Sequence, residues 1–136
     1  MTSYLIDASA LWYLLRNTEV LETWNDRITT QPLRICEPTR TEFLHSAMSP
    51  AHRDELEDEL NTLCELAPVP ESAWRWVESA QYKLTQRGQH RSAGVVDLLL
   101  CATAVHHGLT VLHVDDDFAT VAKVMPELDQ RDIRRF

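Results

Sequence analysis

The stretch that decides the fold is TVLHVDDDF, residues 110–118, in which a run of apolar and β-forming residues ends in three aspartates. The run predicts a buried strand at 110–114, and a short helix is expected to start at Phe118. The same order opens the chain, where the apolar residues 4–6 end at Asp7 and a helical pattern follows. Short strands that alternate with helices indicate a mainly parallel sheet covered on both faces.

The remaining hydrophobic periodicity extends this alternation along the chain. It predicts helices at 19–28, 38–48, 52–65, 71–87 and 94–107, strands at 33–36 and 133–136, and an extended connection or edge strand at 66–70. The helix at 94–107 is apolar on nearly all sides, which is typical of a buried helix. We therefore expect an α/β fold, a three-layer α/β/α sandwich, with residues 1–136 as a single domain.

Composition and charge narrow the class of protein. The 136 residues are 44% hydrophobic and 25% charged, as in a globular domain of ordinary size. No apolar run approaches the roughly 18 residues of a membrane helix, and the N-terminus lacks the pattern of a signal peptide, so we expect a cytoplasmic protein without a membrane partner. Cys36, Cys64 and Cys101 are widely spaced and predict reduced core residues.

The net charge of -8 is unusual for a protein that acts on nucleic acid. Six acids and one arginine lie between Arg53 and Glu65, so this one segment carries five of the eight excess negative charges. A solvated helix face is its simplest interpretation. The rest of the chain is close to neutral, and the overall charge does not exclude a nuclease.

Four acids stand where the predicted topology brings them together. Asp7 and Asp115 directly follow strands, and the carboxyl ends of parallel strands share one edge of the sheet. Glu42 lies one turn into the helix after a third strand, and Asp97 opens the buried helix. Clustered carboxylates repel one another unless a cation lies between them, and oxygen ligands alone favour Mg²⁺ or Mn²⁺. Such a site suits phosphodiester hydrolysis, with one ion or two.

Most of these acids also have a local explanation. Asp7 or Ser9 suits the N-cap of a helix, and Glu42 matches a capping box with Thr39. The aspartates at 115–117 suit a turn and a helix cap. Asp97 is the exception, because a carboxylate among apolar neighbours costs several kcal/mol without a partner, and a bound cation is the simplest one.

Four segments in this order, LIDASAL at 5–11, RTEFL at 40–44, VDLLLCATA at 96–104 and VLHVDDDF at 111–118, resemble the PIN-domain nucleases. Within that family the chain resembles the VapC-type toxins of bacterial toxin–antitoxin pairs. The resemblance implies a Mg²⁺- or Mn²⁺-dependent endoribonuclease that cuts structured cellular RNA, typically tRNA or rRNA, and arrests growth when unrestrained. It also implies a VapB-like antitoxin that binds across the active site, a toxin homodimer, and a heterotetramer or larger complex with the antitoxin.

The resemblance also implies roles for individual residues. Asp7 and Asp97 would be the central metal ligands, and Glu42 and Asp115 would complete the catalytic quartet directly or through water. Three acids in a row leave Asp115, Asp116 and Asp117 as candidates for the fourth position, of which Asp115 is favoured. The remaining candidates are Asp117 as an accessory acid and Ser9 as a hydrogen-bonding partner.

Basic residues near these segments are candidate substrate contacts. Arg87, His90 and Arg91 surround the loop ahead of Asp97 and either contact phosphate or form an ordinary solvated loop. Arg40 either contacts phosphate or pairs with an acid.

Other classes of protein fit the residues less well. A haloacid-dehalogenase-type phosphotransferase would have a second acid where this chain has Ser9. A receiver domain needs a lysine after a late strand, which neither Lys83 nor Lys123 provides. A flap- or DNA-directed nuclease usually needs a larger chain. The principal alternative is a non-catalytic PIN-like scaffold that binds metal or RNA, which would be expected to lack one of the acids.

Overall fold

The computed structural model describes residues 2–136, so Met1 lies outside the described residues. Its strands are β1 (Tyr4–Ile6), β2 (Leu33–Ile35), β3 (Cys64–Leu66), β4 (Thr110–His113) and β5 (Gln130–Asp132). Its helices are α1 (Ala8–Arg16), α2 (Thr18–Thr30), α3 (Glu37–His45), α4 (Pro50–Leu63), α5 (Ala73–Gln86), α6 (Val95–His107) and α7 (Asp117–Val124), with a 3-10 turn at Ile133–Arg135. Among these helices none is both long and apolar enough to span a bilayer.

The strands form one sheet in the order β3-β2-β1-β4-β5, and each of the four described pairings is parallel. Alternate residues of β1 enter two different hydrophobic cores, Leu5 on one face and Tyr4 and Ile6 on the other. Helices α1–α4 cover the second face, and α5–α7 cover the first. The predicted three-layer α/β/α sandwich is therefore confirmed.

Two of the predicted strands are misplaced. The strand after the acidic helix is at Cys64–Leu66, and it does not extend to 70 because Pro68 and Pro70 have no N–H to donate to a ladder. The last strand is Gln130–Asp132, not 133–136. It ends because the Asp132 carboxylate accepts from the backbone N of Arg134 at 2.9 Å and turns the chain into the 3-10 helix.

Helix α6 matches its prediction to within one residue. Seven consecutive residues, Leu98–Ala104, are buried, which agrees with its apolar character on all sides. Gly108 ends the helix with φ 67°, a left-handed conformation that glycine adopts without a steric cost. The helix packs against α5 and α3. Its first turn carries Asp97, on which the charges of Asp7 after β1 and Asp115 after β4 act.

Candidate active site

Asp7 lies at the carboxyl end of β1 and is 6% exposed. It is the N-cap of α1, as one local interpretation predicted, and its Oδ2 accepts from the backbone N of Ser9 at 3.3 Å. The Ser9 hydroxyl donates to the same Oδ2 at 2.5 Å and accepts from Val114 N at 3.1 Å. Ser9 thus holds the Asp7 carboxylate and links it to the loop after β4.

Asp97 lies in the first turn of α6, where its Oδ2 accepts from Gly94 N at 3.4 Å. Burial, followed by the Asp7 carboxylate and to a lesser degree Asp115 and Glu42, raises the pKa of Asp97 to about 6, while the hydrogen bond from Gly94 opposes the shift. The structure therefore brings together the four acids that the sequence placed on separate elements. We call these four residues the acidic edge.

Glu42 reaches the acidic edge from the middle of α3, and its side chain is exposed. The capping-box interpretation is wrong, because the N-cap of α3 is Cys36 and the buried Thr39 hydroxyl instead contacts Cys36 Sγ at 3.3 Å. The charge of Glu42 makes the smallest of the three carboxylate contributions to the raised pKa of Asp97.

The three consecutive aspartates have different surroundings. Asp115 Oδ1 accepts from Asp117 N at 2.9 Å, so the predicted turn interpretation holds for Asp115 even though its charge also reaches Asp97. Asp116 is exposed at the N-cap of α7 and its side chain makes no capping hydrogen bond. Partial burial and the Asp115 carboxylate raise the pKa of Asp117. Asp115 is the member of the run whose charge acts on Asp97.

In the part of the chain that the structure describes, no ion pair involves an acid of the acidic edge. Within residues 2–136 the ion pairs join Arg40 and Arg53 to Glu57 and join Arg134 and Arg135 to Asp132. Within the same residues, no three side chains of His, Cys, Asp or Glu lie close enough together to hold a metal ion without other ligands. Mg²⁺ commonly binds through one or two carboxylates and keeps several waters, so the donor set at this edge still fits it.

The residues predicted to contact the substrate have different surroundings in the structure. Arg40 donates to Glu57 Oε1 at 3.3 Å and to Asn61 Oδ1 at 3.2 Å, which agrees with the interpretation that it pairs with an acid. Arg87, His90 and Arg91 are exposed in and beside the loop between α5 and α6. Arg87 also lines a cavity of about 260 Å³, whose other lining residues are Lys83, Gln86, Lys123 and Val124.

This basic cavity and the buried His113 were not predicted from the sequence. Lys83 and Lys123 are the only lysines of the chain, and they meet because α5 packs against α7. His113 is 2% exposed at the end of β4. The only signal for His113 was a polar residue within an otherwise apolar strand.

An all-parallel five-stranded sandwich with acids at the carboxyl ends of β1 and β4 and at the start of a buried helix defines the PIN-domain class. The family model for the PIN domain matches residues 4–124. In structure, the chain is similar to the DNA-bound VapBC crystal structure from Salmonella typhimurium, with a TM-score of 0.80 and 17% identity over 98% of this chain and 99% of that one.

Relatives found by sequence comparison show to which family of PIN-domain proteins the chain belongs. The chain is 40% identical over 96 residues to Ribonuclease VapC6 of Mycobacterium tuberculosis, covering 71% of this chain and 76% of the relative. It is 37% identical to Ribonuclease VapC2 of the same species, covering 94% and 91%. The chain therefore belongs to the VapC family of PIN-domain proteins, as its motifs predicted.

Proposed function

We propose that this protein is a Mg²⁺- or Mn²⁺-dependent endoribonuclease and the toxin of a toxin–antitoxin pair. The observation that carries the proposal is the acidic edge, where burial and three neighbouring carboxylates raise the pKa of Asp97, and where none of the four acids is in an ion pair within residues 2–136. A divalent cation relieves this repulsion, and its chemistry suits hydrolysis of a phosphodiester. The relatives that carry the name ribonuclease support the choice of RNA as substrate.

The four residues of the acidic edge would have different roles. Asp7, which is buried, and Asp97, which is partly buried in the first turn of α6, would hold the ion, which would supply Lewis acidity toward the phosphate. Glu42 and Asp115 would act through water, accepting hydrogen bonds from solvent that completes the coordination or attacks the phosphate. Ser9 keeps Asp7 in one orientation, and Asp117 is an accessory acid beside Asp115.

The first experiment measures cleavage of total cellular RNA by the purified, antitoxin-free protein with Mg²⁺ or Mn²⁺. Discrete fragments are expected, and they should disappear with EDTA and with Asp7→Ala. Mapping the fragment ends would identify the RNA and test the expected choice of tRNA or rRNA. Absence of cleavage by folded protein that still binds Mn²⁺ and RNA would favour the non-catalytic scaffold.

The basic cavity supports contact with the RNA backbone on the side of α5 and α7. Lys83, Arg87 and Lys123 place three positive charges around one cavity in a chain of net charge -8. Replacing Lys83 and Lys123 by Gln should slow cleavage about 3- to 10-fold at low salt and flatten its salt dependence. Arg75→Gln, on the exposed surface of α5 outside the cavity, is the matched control. An equal effect of both changes would show that the cavity is not a specific contact.

An antitoxin is the partner that the matched VapBC complexes support. We propose that a VapB-like chain covers the acidic edge of this protein and that the toxin pairs with a second copy of itself. Expression of the chain alone should arrest growth, whereas Asp7→Ala should not. Co-expression of a VapB-like chain that binds the purified protein should restore growth and abolish cleavage.

A further inference from the structure

His113 is a buried polar side chain for which the proposed chemistry has no direct use. It ends β4, two residues before Asp115, and is 2% exposed. A buried imidazole needs partners for its ring nitrogens, and both are present. Nδ1 lies 3.0 Å from Asp115 N, and Nε2 lies 2.6 Å from Gln130 Oε1 on β5.

These contacts permit only one form of the ring. A backbone N–H donates, so Nδ1 must be the acceptor and carry no proton. The proton of the neutral imidazole is therefore on Nε2, and Gln130 must present its oxygen to receive it. The Asp115 N–H thus selects this tautomer, because it can only donate, and Gln130 stabilises it by accepting from Nε2–H.

The ring is also held in place by packing. It stacks on Phe118 with 4.9 Å between ring centroids and 29° between planes, and Phe118 of α7 is fully buried. The preceding residue of the loop, Val114, donates its N–H to Ser9 Oγ, which in turn donates to Asp7. Two consecutive backbone N–H groups after β4 are therefore held by side chains, one of which bonds directly to Asp7.

We propose that His113 is a positioning residue that, as the neutral Nε2–H tautomer, holds the backbone of Asp115 and thereby places its carboxylate at the acidic edge, with Gln130 as the acceptor of the ring N–H. This role rests on the proposed function of that edge. It explains why a polar group is buried in an apolar strand at the point where the chain turns toward α7. The carboxylate of Asp115 then needs only its own hydrogen bond from Asp117 N to be oriented.

Two substitutions separate the two ring nitrogens. His113→Asn places an oxygen near the Nδ1 position, and asparagine readily accepts from the backbone N–H two residues on. His113→Gln places its amide near Nε2 and leaves Asp115 N without an acceptor. We expect His113→Gln to lower the single-turnover rate on total RNA about 10- to 100-fold, the range for residues that orient groups around a metal site, and His113→Asn to stay within about threefold of wild type.

A second measurement does not depend on RNA. Long-range ¹H–¹⁵N correlation spectra of the wild-type protein report which ring nitrogen carries the proton. The Nε2–H tautomer and a selective loss in His113→Gln support the proposal. The Nδ1–H tautomer, or equal activities of the two variants, would overturn it. If His113→Gln does not fold, the tautomer and the activity of His113→Asn decide. A wild-type protein that does not cleave RNA would refute the proposed function, while the tautomer and the Mn²⁺ affinities of the variants would still test His113.

Discussion

The chain carries acids in two places, on the surface of α4 and at the acidic edge, and the two sets behave differently. On α4 the acids point into solvent, and Glu57 is additionally held by Arg53 and Arg40. At the acidic edge, the four carboxylates come from different elements, and within residues 2–136 none of them is in an ion pair. Burial and the charges of the other three raise the pKa of Asp97 to about 6.

The number of acids in a segment therefore does not indicate whether they form a functional site. Acids that are close in sequence on a helix spread around its surface, where water and nearby arginines screen them. Acids that the fold brings together at a partly buried edge retain their repulsion. A bound cation can relieve this repulsion. The four acids of the acidic edge, and not the more numerous acids of α4, are therefore the candidate catalytic residues.

The largest contrast is expected in catalysis. Asp97→Asn should lower RNA cleavage at least about 1000-fold, which corresponds to about 4 kcal/mol of transition-state stabilisation. The matched change Asp58→Asn, on the exposed surface of α4, should leave the rate within about twofold. Initial rates on total RNA with Mg²⁺ measure both. Full activity of Asp97→Asn would mean that the acidic edge is not the catalytic centre.

Metal binding should also distinguish the acidic edge from α4, with a smaller effect in kcal/mol than the effect on catalysis. Free Mg²⁺ at about 100 times its dissociation constant should stabilise the wild-type protein by about 2.7 kcal/mol, because only the folded state assembles the site. Urea unfolding with and without Mg²⁺ measures this gain. We expect Asp58→Asn to retain the gain and Asp97→Asn to lose it. Equal stabilisation of the two variants would place the ion away from Asp97.

Without metal, Asp97→Asn should be more stable than wild type above about pH 6. The folded-state pKa of Asp97 lies above its unfolded value, so the stability linked to its proton is fully present below about pH 4 and lost as the pH rises through about 6. The shift corresponds to about 3 kcal/mol, which solvent screening reduces to about 1 kcal/mol.

Urea unfolding in EDTA at several pH values between 4 and 8 tests this prediction. The two proteins should converge near pH 4 and separate as the pH rises. Asp58→Asn should show no such divergence from wild type. A constant difference between Asp97→Asn and wild type at every pH would contradict the linkage.

The smallest effect is expected on α4. Glu57→Gln removes the charge that Arg40 and Arg53 share, and exposed ion pairs contribute well under 1 kcal/mol. The loss of unfolding free energy should be about 0.5 kcal/mol at low salt and should vanish near 1 M salt. A loss above about 2 kcal/mol would mean that the acids of α4 hold the fold together, and the contrast between the two regions would weaken.

The sequence predicted most of the fold because strand and helix periods differ and their boundaries carry Pro, Gly and acids. It misplaced β3 and β5, since a three-residue strand contains too few residues for a period to be read. It placed Asp7, Asp97 and Asp115 by their positions next to strands and a buried helix. It left Glu42 between a capping box and a site, because both interpretations require the same spacing.

By itself, the sequence determined the alternation of elements, the buried α6, the acids that end β1 and β4, and the resemblance to the VapC family. Only the tertiary structure decided that Arg40 pairs with Glu57, that both lysines line one cavity with Arg87, and that His113 joins Gln130 to Asp115. Local patterns fix what each segment prefers, since hydrophobic period and caps act within a few residues. Partners separated by 17 residues or more depend on how the layers pack, which no local pattern contains.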